Sequence, residues 1–62
     1  MSNLASDAVS AALKTDWDNA IKLNKRLLNV SPNDIETLNR LAYAFLEKGN
    51  LKEAKRLYQK VL

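Results

Sequence analysis

Few residues in this 62-residue chain could do covalent chemistry. Asp16 and Asp18 flank Trp17, and two carboxylates so close could divide into a general acid and a general base. Ser2, Ser6, Ser10 and Ser31 carry hydroxyls that a neighbouring base could activate. Neither set is completed. The chain has no histidine and no cysteine, which removes the usual base for a serine, the thiolate nucleophile and the common zinc ligands. A single glycine leaves no glycine-rich loop to cradle a phosphate. Asp16 is accounted for as a helix cap and Asp18 as an i, i+4 partner of Lys22. The chain is expected to be non-enzymatic, with no cofactor and no metal.

Basic residues are the other chemical resource. Lys52, Arg56 and Lys60 recur every fourth residue, with Lys48 and Lys55 nearby, and Lys22, Lys25 and Arg26 echo them earlier. Such a stripe is the minimum footprint for phosphate contacts. The net charge is only +3, and no aromatic series accompanies the stripe to stack bases. Lysines on an outer helix face also maintain solubility and cover apolar surface with their stems. Contact with nucleic acid or another acidic surface therefore stands as the alternative function.

The elements that carry these residues are helical. One glycine and one proline leave little material for hairpin turns. Apolar residues recur at i, i+3, i+4 and i+7 over segments 3–14, 17–29, 34–48 and 51–62. Gly49 suits the left-handed position that ends a helix, and Asn50 with Glu53 reads as a capping box. Pro32 ends the second segment, after which Asn33 and Glu36 make a similar box. Thr15 replaces a glycine at the first turn, where a left-handed backbone is strained, so a looser turn is expected there. Connections this short impose antiparallel neighbours.

The chain repeats itself after about 34 residues. Leu4 falls on Leu38, Ala8 on Ala42, Trp17 on Leu51, Ala20 on Ala54, Leu23 on Leu57 and Leu28 on Leu62. Thr15-Asp16 falls on Gly49-Asn50. The alanine pairs Ala8/Ala20 and Ala42/Ala54 allow close helix approach inside each hairpin. Asp7 and Asn24 interrupt the apolar pattern at roughly opposed positions. They are expected either to hydrogen-bond to each other or, more simply, to reach water at a tilted or frayed first helix.

Leu38, Leu41, Ala42, Phe45, Gly49, Ala54 and Tyr58, with Leu4, Ala8, Ala20 and Pro32 before them, resemble the tetratricopeptide repeat pattern. The resemblance implies an all-α fold: two antiparallel helix-turn-helix hairpins stacked as a short right-handed superhelical array. Repeat one spans 1–34 and a truncated repeat two spans 35–62. It also implies a protein–protein interaction module whose concave groove is lined by Ala5, Val9, Ala12, Leu13, Glu36, Asn39, Arg40, Tyr43 and Glu47. Arg40 and Tyr43 are the strongest single candidates for contact. Ala5, Val9 and Arg40 stand where some members carry a lysine and asparagines that clamp a terminal carboxylate, so that clamp is not expected.

A chain of this size is marginal alone, and apolar surface left bare favours association. No further helix shields the last hairpin, so Leu51, Leu57, Tyr58 and Leu62 are expected partly bare. A homo-oligomer, formed by end stacking or helix exchange, is therefore the expected partner state beside a protein or peptide ligand; the alternative is a monomer or an excerpt of a longer array, whose bare end is a cut surface. An engineered minimal repeat scaffold without a dedicated ligand is a further alternative. Residues 1–13 lack the basic start of a secretory signal, and no apolar run approaches the ~20 residues of a membrane span. A cytoplasmic location is expected.

Overall fold

A computed structural model describes residues 3–62 of the chain. Helices α1 (Leu4–Leu13), α2 (Trp17–Val30), α3 (Ile35–Glu47) and α4 (Leu51–Val61) follow one another. Consecutive helices pack as neighbours, α1 on α2, α2 on α3 and α3 on α4. This is the expected all-α pair of stacked hairpins, with element ends within about two residues of those read from periodicity.

Turn chemistry explains the boundaries. After α3, the Asn50 N–H donates to the Phe45 carbonyl at 2.9 Å and Gly49 N–H to that of Leu46 at 3.0 Å. Gly49 has φ +83°, so this is the left-handed stop that glycine favours. The first turn is not looser. Asp16 N–H donates to the Ala11 carbonyl at 2.9 Å and Thr15 N–H to that of Ala12 at 3.0 Å, reproducing the same motif. Thr15 takes φ +57° to do so, despite its branched Cβ. The two carbonyls satisfied by this turn outweigh the local strain.

Caps depart from expectation in two places. Asp34, not Asn33, precedes α3 and makes no side-chain cap bond; its carboxylate instead accepts from the Thr37 hydroxyl. Glu36 accordingly closes no box and lies 4.0 Å from Arg40. At α4, Asn50 Oδ1 accepts from the Glu53 N–H at 3.3 Å, but the Glu53 carboxylate does not reach back. The Asn50 N–H is already given to the Phe45 carbonyl, and Arg56 takes the Glu53 carboxylate at 2.8 Å instead. Asp16 and Asn3 cap their helices as acceptors. Asp18 pairs with Lys48 at 2.9 Å rather than with Lys22, tying the start of α2 to the end of α3.

The core is layered by residue size. Ala8, Ala20, Ala42 and Ala54 are all buried, as expected for close helix approach. Leu38, Leu41, Phe45 and Leu57 fill the main cluster, with Ile21 and Leu28 of α2 packed on it. Ala11, Ala20 and Ala44 bring α1, α2 and α3 together beside Trp17.

Asn24 follows neither of its two expected fates. It is 1% exposed and does not meet Asp7. Its amide donates to the Ala20 carbonyl at 2.8 Å, and its Oδ1 accepts from Arg40 Nε at 3.1 Å. Arg40 Nη2 donates onward to Thr37 Oγ1 at 3.1 Å. A chain of polar contacts thus joins α2 to the start of α3, and α1 begins in an ordered, capped turn rather than fraying. Asp7 is partly buried.

Two stability measurements follow. Thr15→Gly is expected to raise the unfolding free energy by about 1 kcal/mol by relieving the left-handed backbone, whereas Gly49→Ala lowers it by a similar amount. Asn24→Leu is expected to cost ~1–3 kcal/mol because Arg40 loses a buried acceptor. Asp7→Leu removes an acidic group from the first turn of α1 and should change stability by no more than about 1 kcal/mol. Urea melts followed by circular dichroism read all four.

Candidate interaction surfaces

Of the expected groove residues, Ala5, Val9, Ala12 and Leu13 lie on α1, and Glu36, Asn39, Arg40, Tyr43 and Glu47 on α3. Val9 and Leu13 are exposed, Leu13 at 81%, while Ala5 and Ala12 are partly buried. Glu36, Asn39, Tyr43 and Glu47 are exposed as well. Val9 and Tyr43 occupy the same position in successive repeats, so the face is continuous in register. Its character is an apolar strip with acidic residues on the α3 side.

Tyr43 is held in place rather than resting on its own helix. Its ring meets Trp17 of α2 edge to face, with centroids 5.6 Å apart, a geometry favoured by aromatic quadrupoles. Glu47, as a hydrogen-bond partner and then as a nearby charge, raises the phenol above its ordinary pKa. The hydroxyl therefore stays a donor across the physiological range. Arg40 is set differently from its neighbours. Its guanidinium turns to Asn24 and Thr37, so the expected contact residue is largely occupied in joining the hairpins.

At the other end, Leu51 is 62% exposed and Leu62 wholly so, with Tyr58 half-buried. Leu57 corrects the expectation: at 2% exposure it belongs to the core. Its position on α4 points inward, at the level of Ala54, and not towards the bare side. Exposed apolar residues outside the expected surfaces are Val30, Ile35 and, on α3, Leu46. The equivalence of Leu46 with Ala12 in the repeat was the available signal.

The basic stripe is partly spent internally. Lys25 lies over the Phe45 ring at 5.5 Å from its centroid, Lys48 holds Asp18, and Arg56 holds Glu53. The Arg56 guanidinium keeps the Glu53 carboxyl below its ordinary pKa, and Glu53 in turn raises Arg56. The contribution of this exposed pair is present above the unfolded carboxyl value and fades as pH falls through the lower folded one.

Asp16 caps α2 and Asp18 is paired with Lys48; Ser2 lies outside the described residues. Among the described residues, no group of three His, Cys, Asp or Glu side chains gathers to hold a metal, and no helix is long and apolar enough to cross a membrane.

Comparison with curated proteins and with solved structures produced no match. Residues 7–62 match a family model described as Tetratricopeptide repeat. That match spans both hairpins and agrees with their alanine contacts and shared turn, and the chain belongs to the tetratricopeptide repeat family.

Proposed function

We propose that this chain acts through protein–protein contact at two surfaces: it holds a peptide or helix on the α1/α3 face, and it self-associates through α4. The observation that carries the first reading is the exposure of Val9, Leu13 and Tyr43 on helices of equivalent repeat position. Exposed apolar and aromatic side chains on a fixed backbone are what interface anchors consist of. Tyr43 is pre-set by Trp17, which lowers the ordering cost of binding. Glu36 and Glu47 on the same face favour a ligand with basic side chains beside its apolar ones. The exposed Leu51 and Leu62 support the second reading, because each leucine-sized side chain covered gains roughly 1.5–3 kcal/mol.

The first reading is tested by titrating a leucine- and lysine-containing amphipathic peptide into the labelled protein. Amide shifts should concentrate around Val9, Leu13, Asn39 and Tyr43. Val9→Ser combined with Tyr43→Ala should weaken binding by about tenfold or more, equivalent to ~1.4 kcal/mol. Unchanged affinity in that double variant, with helicity retained, would refute this face as the binding surface.

A further inference from the structure

The contacts that join the two hairpins have counterparts on the outer faces of the described helices, the α1/α2 groove on one side and α4 on the other. On α2, Trp17 meets Tyr43, Asn24 accepts from Arg40, and Ile21 and Leu28 pack on the core cluster of hairpin two. One repeat later, α4 carries Leu51, Tyr58, Lys55 and Leu62 at those four positions. Leu51, Lys55 and Leu62 are exposed, and Tyr58 is half-buried. The receiving side is duplicated too. The α3/α4 groove that takes Ile21 and Leu28 corresponds to the groove between α1 and α2. That groove is an open cleft of about 300 Å³, with Asp7, Ser10, Lys14, Asp16, Asn19 and Leu23 in its lining.

Two departures from the repeat match each other. Where α2 has Ile21, α4 has Lys55; where the filled groove has Leu41, the open cleft has Asp7. The apolar pairing between hairpins is thus replaced by an amine at one end of the molecule and a carboxylate at the other. Covering either charge with an apolar surface would be costly, whereas bringing the two together compensates both.

We propose that the cleft between α1 and α2 receives α4 of a second copy, head to tail, in the register that α2 adopts on hairpin two. This rests on the self-association reading above and specifies its geometry. Lys55 of the incoming helix meets Asp7, with Asp16 in the same cleft. Leu51 takes the place of Trp17 and meets Val9, in the place of Tyr43. Tyr58 and Ser6 replace the Asn24–Arg40 hydrogen bond with another polar pair. Leu62 takes the place of Leu28. One pair is opposed: Lys14 and Lys52 stand where Lys48 and Asp18 attract. Both are exposed, so their repulsion is screened and small. Because the two surfaces differ, the contact is heterologous, and copies add head to tail into a stack unless the rotation between them closes a ring.

Sedimentation velocity across a concentration series tests the register by charge exchange. The parent chain should gain mass with concentration. Asp7→Lys and Lys55→Asp should each weaken association by roughly tenfold or more, and their mixture or the double variant should restore it. Lys52→Asp should strengthen it. Asp7→Asn serves as the milder variant if Asp7→Lys loses helicity, and should also weaken association. Association sensitive to Lys55→Asp but unaffected at Asp7 would show α4 meeting α4, keeping self-association and overturning this register. A parent chain that stays at single-chain mass throughout would overturn both.

Discussion

Alanine at the helix crossings is the constraint on which the rest of this structure depends. Ala8, Ala20, Ala42 and Ala54 sit where a larger side chain would push two backbones apart, and all four are buried. With the backbones close, Leu38, Leu41, Phe45 and Leu57 can fill the space around the alanines from both sides. Close packing of this kind leaves little tolerance for added volume. The same spacing sets the groove that Ile21 and Leu28 enter, so hairpin formation and hairpin stacking share one geometric cause.

Stacking is then keyed by polar contacts at the edges of that groove. Asn24 is satisfied by its own helix on one side and by Arg40 on the other. Arg40 passes the connection to Thr37, and Thr37 to Asp34. Among the described residues, no buried side-chain nitrogen or oxygen is left without a partner. Lys48 and Asp18 close the opposite end of the same interface. Such contacts add modest net stability, but they penalise a shifted register, in which each buried group would lose its partner.

A surface suited to partners emerges from what this packing leaves unused. Two hairpins provide one internal interface and two external ones. The α1/α3 face presents Tyr43, which Trp17 fixes, while α4 presents Leu51 and Leu62, exposed among the described residues. Charges at the end faces make them unlike each other, and that asymmetry bears on which surfaces can meet.

Helix positions, the Gly49 turn, the alanine contacts and the repeat itself are legible along the chain, because each depends on residues within a few positions or at a fixed period. Family membership followed from the same features. What one dimension did not decide was the partner of each polar side chain. Spacing puts Asn24 either against Asp7 or in water, yet Arg40 of the next helix reaches it. Asp18 was read with Lys22 on its own helix, yet Lys48 arrived through the stack. Leu57 was placed on the bare side of α4, although packing turned it inward. Thr15 adopted the glycine conformation because two carbonyls needed its turn. Local periodicity determines which face of a helix is apolar; only the stacked arrangement determines which charges and hydrogen-bond donors come within reach of one another.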